Sequence, residues 1–378
     1  MKLEEIQSGQ SLSGVEPTRI VTVVATVKVG EGPSTQLIYR TPDGAMKERF
    51  LGRADEDSIG VASVEHPFSF DGDGSASGDH SKTCYHRDQI LSFLENSEDL
   101  SPGFEELVEG TESQAVAVHD RNGNALVLRL SSSDDGFRMD QYAARTFGGF
   151  LPIPNVVRIG KFDKHAYYCL STQAQGIQSN KLTLDELRAA LPNIHKALAD
   201  TFKADISSMT GYGRPVLPEG DAAHPSWRSV INRSAGDLEK YRRHAANLDL
   251  RPLLVDHLIF QYERHLNYGS ETRCLLHGDP AHDNMLIKDG QVTAIIDWSL
   301  LCYGDWMSDF ATISFWWPEA YGDPVLFAHE FHLDAANIRE RTALYWAMNA
   351  LKVVEWTDRH KSEIIYQWLH DNLEQRLL

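Results

Sequence analysis

The chain has 378 residues, a length that favours two or three structural units over one. Hydrophobic residues make up 42% of it, enough to build packed cores, which argues against a disordered protein. A formal net charge of −18 argues against binding to nucleic acid, whose phosphates are held by Lys and Arg. The same charge suits a small polycationic partner, since an acidic cleft concentrates cations, although many soluble bacterial proteins are as acidic.

The cysteines and the N-terminal sequence indicate the compartment. The chain has four cysteines and no C-x-x-C pair, as expected for reduced thiols in the cytoplasm. The N-terminus lacks the basic and apolar segments of a signal peptide, and no apolar run is long enough to span a membrane. We therefore expect a cytoplasmic protein that does not act at a membrane, with a monomer favoured over a dimer.

Residues 1–80 predict a small β-rich extension followed by a linker. The β-branched run 20–27 is typical of a strand, and residues 36–40 and 45–51 follow turn signals rich in Gly and Pro. The segment 70–79 is polar and rich in Gly, which is typical of a linker.

Residues 81–173 predict a second β-rich unit. Asn122-Gly123 is a strong signal for a hairpin between two strands. The predicted elements are a helix over 89–94, strands over 114–118 and 125–130, a helix over 140–147 and a strand over 167–171.

From residue 174 to 378 the periodicity is helical. Thr183 and Glu186 form a capping box, and Pro192 predicts a kink or a break in the helix that follows. Further helices are expected over 226–247, 252–267, 336–353 and 360–376. A β-rich front half before a helical back half predicts an α+β, two-lobed protein-kinase-like fold, with 81–173 and 174–378 as its lobes.

The most informative stretch runs from Cys274 to Trp298. It contains His277-Gly278-Asp279, then Asn284, and after an apolar run Asp297. Phosphoryl transfer needs a carboxylate to take the proton of the attacking hydroxyl and oxygen ligands for Mg²⁺. A tight loop would supply the first carboxylate and the amide, and a hairpin would return the second carboxylate to the same place.

These motifs resemble the catalytic and metal-binding motifs of the aminoglycoside phosphotransferase and choline kinase-like family. The resemblance implies that Asp279 is the catalytic base and that Asn284 and Asp297 bind Mg²⁺. It implies ATP as the phosphoryl donor, with GTP as the alternative. His277 and Asp309 are expected to support the catalytic loop structurally, because Asp279 already supplies the carboxylate.

Further segments between residues 104 and 320 resemble hygromycin B phosphotransferases in particular. The resemblance implies a phosphate-binding loop and a hinge for adenine. The residues concerned are Gly110, Thr111 and Ser113 in the loop and Ser171 to Gln173 in the hinge.

Arg129 occupies the position of the strand lysine that binds phosphates in most of the broad family. Hygromycin B phosphotransferases resemble this chain in having Arg there, and Arg can still clamp phosphates. Asp140 is the candidate partner of Arg129, and a solvated helix residue is the alternative.

The residues expected to bind the acceptor are Asp305, Trp316 and Glu319, since carboxylates and aromatic faces suit cationic sugars. Asp305 could instead brace the loop, and core packing is the alternative for Trp316. Residues 1–75 resemble the leader of bacterial Swi/Snf-type helicases, but the chain has no Walker A motif, so no helicase activity follows.

The sequence therefore predicts a kinase that phosphorylates a hydroxyl of an aminoglycoside, most plausibly hygromycin B, and confers antibiotic resistance. Two alternatives stay open. A metabolic kinase for choline, an amino alcohol or a sugar would carry the same motifs, because its acceptor pocket alone differs. A nucleotide-binding regulatory protein without turnover is the third reading, against which the complete set of motif residues argues.

Overall fold

The computed structural model describes residues 2–3, 6, 11–16, 19–29, 34–40, 46–56, 59–61, 85–107, 114–280, 282–316 and 321–373. By their contacts, the described residues form two compact units. The first takes residues from 1–67, 239–258 and 350–378, and the second takes residues from 68–238 and 259–349. Parts of the predicted helical lobe thus belong to the first unit, a grouping that the sequence pattern did not indicate.

The first unit contains a five-stranded antiparallel sheet in the order β4-β3-β2-β1-β5. Its strands are β1 Ser11–Glu16, β2 Arg19–Val29, β3 Ser34–Arg40, β4 Met46–Leu51 and β5 Gly60–Val61. Leu12, Val21, Leu37 and Leu51 are buried in one apolar cluster on this sheet. The three predicted strands are present, and the predicted linker 70–79 lies outside the described residues.

The second unit begins with another five-stranded sheet, in the order β6-β7-β8-β10-β9. Its strands are β6 Glu105–Glu106, β7 Gln114–His119, β8 Ala125–Ser131, β9 Val156–Lys161 and β10 Tyr167–Thr172. The predicted Asn-Gly turn joins β7 and β8, with Gly123 at φ 84°. In this register Arg129 on β8 lies opposite Cys169 on β10, a fully buried thiol.

Two smaller antiparallel sheets follow. One has the order β11-β15-β16 and the other has the order β13-β12-β17-β14. Their strands are β11 Ile177–Gln178, β12 Tyr212–Pro215, β13 Ala222–His224, β14 Cys274–Leu276, β15 Met285–Lys288, β16 Gln291–Ile295 and β17 Cys302–Gly304. The catalytic motif found in the sequence spans β14 to β16.

The helices account for most of the rest. They are α1 Arg87–Glu95, α2 Asp135–Phe147, α3 Leu184–Phe202, α4 Trp227–Ala235, α5 Glu239–Asn247, α6 Pro252–His265, α7 Met307–Trp316, α8 Pro324–Glu330, α9 Ile338–His360 and α10 Glu363–Trp368. In the described part of the chain, no helix combines the length and the apolar character needed to cross a membrane.

Two helix predictions contain a break that needs attention. The capping box at Thr183 is confirmed, since its Oγ1 accepts a hydrogen bond from the Glu186 amide; of the two alternatives predicted for Pro192, a kink or a break, the break is wrong, because α3 is continuous through it. The predicted helix 226–247 is interrupted between α4 and α5. Gly236 ends α4 with φ 58° and ψ −136°, a conformation that favours glycine and cannot continue a helix.

Candidate active site

The β15–β16 hairpin joins Asn284 to the segment that carries Asp297. Met285 pairs with Ile295, and the Ile296 amide donates to the Asn284 carbonyl at 2.9 Å. Asn284 directly precedes β15 and Asp297 follows β16, so both lie at the same end of the hairpin. The predicted return of the chain across a hairpin is confirmed.

The side chains of Asp279 and Asn284 are in direct contact. Asn284 Nδ2 donates to the Asp279 carbonyl at 3.0 Å and to Asp279 Oδ2 at 3.3 Å. Both residues are buried, at 2% and 7% exposure. Because the amide nitrogen faces Asp279, the amide oxygen of Asn284 is directed elsewhere, and the Asp279 carboxylate has a fixed orientation.

His277 links the loop that carries Asp279 to the segment before Asp297. Its Nδ1 accepts from the Asp279 amide at 3.3 Å, which leaves Nε2–H to donate to the Ile296 carbonyl at 2.9 Å. Burial lowers the pKa of His277, so the ring is neutral, as these two bonds require. A neutral ring with both nitrogens engaged fits the predicted supporting role.

Asp309, in the first turn of α7, holds the backbone at the start of the loop. Its carboxylate accepts from the His277 amide at 2.7 Å and from the Gly278 amide at 3.2 Å. Gly278 has φ 86°, and a Cβ there would lie 2.1 Å from the Leu300 carbonyl oxygen. The loop therefore depends on a glycine at 278 and on a buried carboxylate at 309.

Asp140 connects the strand arginine to the segment around Asp297. Its carboxylate forms an ion pair with Arg129 and accepts from the Trp298 amide at 2.7 Å. The predicted pairing of Arg129 with Asp140 is thus confirmed, and the solvated alternative is wrong, since Asp140 is 5% exposed. Asp297, next to Trp298, has a positive φ of 59°.

A cavity of about 310 Å³ is lined by Arg129, Asp140, Asp297 and Trp298, but not by Asp279 or Asn284. It lies between the five-stranded sheet of the second unit and the β11-β15-β16 sheet. The predicted nucleotide residues Arg129, Ser171 and Gln173 line it together with Asp297. Its apolar lining is supplied by Leu107, Ala115, Val127, Ile153, Val156, Leu286 and Ile296. A largely apolar cavity with a few charged side chains in its lining suits a flat base attached to an anionic chain.

The predicted hinge uses some of its backbone groups internally. The Thr172 amide donates to the Asn155 carbonyl at 2.9 Å, and the Gln173 amide donates to the Ala125 carbonyl at 3.1 Å. Because these two amides are already engaged, a nucleotide base bound at the hinge would contact backbone carbonyl oxygens or residues that follow Gln173. The predicted phosphate-loop residues Gly110, Thr111 and Ser113 lie outside the described residues.

The prediction that Asp305 binds the acceptor is wrong. Asp305 is fully buried and forms an ion pair with Arg341, which is also fully buried. It accepts further bonds from the Tyr345 hydroxyl at 2.7 Å and the Ser270 amide at 3.0 Å. With its oxygens engaged inside the protein, Asp305 stabilises the fold.

Of the other predicted acceptor residues, Trp316 is only 5% exposed and packs edge-on against Phe315 at a centroid distance of 4.8 Å. This is the core-packing alternative. Glu319 lies outside the described residues.

Two polar cavity residues were missed by sequence reasoning, Gln178 and Lys181. Gln178 Nε2 donates to the Asp283 carbonyl at 3.0 Å, which ties β11 to the catalytic loop. Neither belongs to a motif, and the one available signal was the Gly176 bend that precedes them.

The side chains of Asn284 and Asp297, at one end of the β15–β16 hairpin, offer oxygen ligands that suit a hard divalent cation. An amide oxygen and a carboxylate are ligands that Mg²⁺ accepts while it keeps water and phosphate oxygens. Within the part of the chain that the structure describes, no cluster of three or more His, Cys, Asp or Glu side chains could hold a metal. The described residues therefore contain no zinc-type site, which would need three or four such side chains as ligands.

Comparison with known proteins identifies the family to which the chain belongs. Residues 103–374 match the phosphotransferase enzyme family. Residues 2–60 match a separate family described as a domain of unknown function, which lends no support to the helicase resemblance.

Individual relatives agree with the family match. The chain is 35% identical over 230 residues to hygromycin-B 4-O-kinase of Escherichia coli, covering 61% of this chain and 67% of that enzyme. The crystal structure of aminoglycoside phosphotransferase APH(4)-Ia has a TM-score of 0.62 at 27% identity, covering 77% of this chain and 98% of that one. A thermostable mutant of that enzyme in ternary complex with AMP-PNP and hygromycin B has a TM-score of 0.61 at 27% identity, covering 76% and 97%.

The family model spans most of the chain, the fold is the predicted kinase-like one, and the motif residues meet at one end of a hairpin beside a cavity. The chain therefore belongs to the phosphotransferase enzyme family and is a phosphotransferase that acts on an alcohol group.

Proposed function

We propose that the chain is an ATP- and Mg²⁺-dependent kinase that phosphorylates a hydroxyl of hygromycin B, and that it confers resistance to that antibiotic. The observation that supports this most is the hydrogen-bonded pair of Asp279 and Asn284 at the hairpin end that also carries Asp297. One base and two oxygen ligands are the side-chain chemistry that phosphoryl transfer requires.

Asp279 serves as the base in this proposal. The acceptor hydroxyl attacks the γ-phosphorus, the bond from that phosphorus to the β,γ-bridging oxygen breaks, and the hydroxyl proton passes to the Asp279 carboxylate. The products are a phosphate ester and ADP. The bond from Asn284 Nδ2 to Asp279 Oδ2 orients the carboxylate before the acceptor arrives.

Asn284 and Asp297 would hold the Mg²⁺. When bound, the cation offsets charge on the phosphates as the bridging bond breaks. Arg129 lines the cavity, and its ion pair with Asp140 holds it in place as a phosphate clamp. His277 and Asp309 keep the backbone of the loop in position.

The proposed acceptor rests on the relatives and on charge. The relative that is 35% identical is a hygromycin-B 4-O-kinase, and a related structure holds hygromycin B beside a nucleotide analogue. The net charge of −18 favours approach of a polycation. Glu319 remains a candidate acceptor residue, whereas Asp305 and Trp316 are withdrawn because both are buried.

The test is ATP consumption by the full chain with Mg²⁺ and a panel of acceptors. We expect turnover with hygromycin B that is at least about tenfold more efficient than with kanamycin-like or streptomycin-like acceptors, or with choline. The matched control is Asp279→Asn, which keeps the shape of the side chain and removes the base. Turnover with choline alone would show a metabolic kinase, and no turnover with any acceptor would contradict the proposal.

A further inference from the structure

Lys181 lies in the wall of the nucleotide cavity, and no motif or comparison gives it a role. It ends the short 3-10 helix Ser179–Lys181 and is exposed to solvent. The cavity is lined by four charged side chains among the described residues: Arg129, Asp140, Lys181 and Asp297. A lysine in the lining of this cavity attracts an anionic ligand.

The backbone around Lys181 is fixed against the catalytic loop. Ile177 and Gln178 pair with Ile287 and Leu286, and Gln178 Nε2 bonds to the Asp283 carbonyl at 3.0 Å. The helix Ser179–Lys181 packs against the turn His282–Asn284. Lys181 thus stands on the side of the cavity where the catalytic loop ends and where Asn284 is placed to bind Mg²⁺.

Lys181 is the cation in the cavity lining whose charge is not offset by an ion pair among the described residues. Arg129 also faces the cavity, but its ion pair with the buried carboxylate of Asp140 offsets part of its charge. Lys181 makes no ion pair with any side chain in the described part of the chain.

The charges of the two substrates indicate which of them Lys181 binds. A polycationic acceptor would be repelled by a lysine, whereas a nucleoside triphosphate carries several negative charges that one divalent cation offsets only in part. We propose that Lys181 binds the phosphate chain of the nucleotide, as a second cation beside Arg129. This inference rests on the proposed function, because it takes ATP as the donor.

The experiment is calorimetric titration of the full chain with ATP, ADP and adenosine in the presence of Mg²⁺. We expect Lys181→Met to raise the Kd for ATP roughly tenfold, the effect of losing about one charge-assisted hydrogen bond, while the Kd for adenosine changes less than about twofold. Lys181→Arg should restore most of the affinity for ATP. The matched control is Lys164→Met, which removes an exposed lysine outside the cavity and should bind as the wild type does.

The titrations distinguish failure of the Lys181 inference from failure of the proposed function. Equal Kd values for ATP in the wild type and Lys181→Met would overturn the inference and leave the proposed function intact. Equal weakening of ATP and adenosine would also overturn it, because the contact would then be with the nucleoside. A wild-type chain that binds none of the three would contradict the proposed function itself. Thermal unfolding of each variant checks that it is folded.

Discussion

At the scale of single residues, the site depends on side chains that are held before any substrate binds. Asp279 is buried, and its carboxylate is oriented by Asn284. We expect Asp279→Ala to lower the rate by roughly 10²–10⁴, because the general base is lost while binding is kept. Initial rates at saturating ATP and acceptor measure this. Near-native turnover would show that another group takes the proton.

Asp140 accepts a hydrogen bond from the Trp298 amide, next to the proposed metal ligand Asp297. Asp140→Ala should raise the Mg²⁺ concentration for half-maximal rate by roughly 10–100-fold, the effect typical of removing a group that orients a metal ligand. Asp140→Asn can still accept from that amide and should have a smaller effect. Mg²⁺ titrations of the rate, with Asn284→Ala as the comparison, measure this; an unchanged requirement in Asp140→Ala would contradict it.

The proximity of Asp279 to Asn284 and the hairpin before Asp297 could be predicted, because these residues lie within one short stretch of the sequence. Asp305 was misplaced for a physical reason. Burial and a partner such as Arg341, 36 residues away, decide whether an aspartate binds a ligand or stabilises the fold, and no local pattern reports either. Lys181 was missed because a single lysine outside a motif does not by itself indicate a site, and the preceding glycine at 176 marks only a bend.

At the scale of elements, α7 and the catalytic loop are coupled through one carboxylate. Burial raises the pKa of Asp309 to about 7, although bonds from the His277 and Gly278 amides act to lower it. An unfolded aspartate titrates near pH 4. Between about pH 4 and pH 7 the folded protein therefore keeps a proton that the unfolded chain has lost, and the contribution of Asp309 to stability falls as the pH rises.

Asp309→Asn removes this titration. From pH 5 to pH 8, the wild type should lose stability relative to the variant by up to roughly 1.4 kcal/mol per pH unit until the folded pKa is passed. Urea unfolding of both proteins at each pH measures the difference. Parallel pH profiles for the two proteins would show that the carboxyl of Asp309 titrates alike in the folded and unfolded states.

Periodicity predicted six of the strands (β2, β3, β4, β7, β8 and β10) and most helices, but it missed β1 and β9 and the course of two helices. Pro192 lies inside α3, where packing of a long apolar face outweighs the loss of one backbone hydrogen bond. The break after α4 depends on the backbone angles of Gly236, which a periodic pattern does not contain. Short strands such as β11 and β17 were missed because two or three residues are too few to show a period.

At the scale of the whole molecule, a buried ion pair joins distant parts of the second unit. Arg341 on α9 meets Asp305 after β17, and both are fully buried. Arg341→Met should lower the free energy of unfolding by roughly 3–5 kcal/mol, because it leaves a buried carboxylate without its cation. Adding Asp305→Asn should recover part of this loss.

The control for this prediction is an exposed pair. Lys196→Met removes the partner of Asp200 on the surface of α3 and should cost roughly 0.5 kcal/mol or less. Chemical denaturation of the variants in parallel measures all the differences. Equal losses for Arg341→Met and Lys196→Met would show that burial does not set the cost of the pair.

The grouping of residues 239–258 and 350–378 with the N-terminal sheet could not be predicted, since it depends on contacts between segments far apart in the sequence. The family match of residues 103–374 also crosses this division. The module of unknown function at residues 2–60 and the last helices of the phosphotransferase region therefore share one compact unit.

The left-handed backbone at Asp297 has a consequence for how the chain can change over time. At φ 59° most side chains are strained, and glycine, asparagine and aspartate are the residues that tolerate this conformation best. Glycine and asparagine each remove the carboxylate and preserve the turn. A protein with either residue at position 297 would keep its fold and lose the carboxylate proposed to bind Mg²⁺. A β-branched residue there would strain the backbone, and selection would act against it through lost stability.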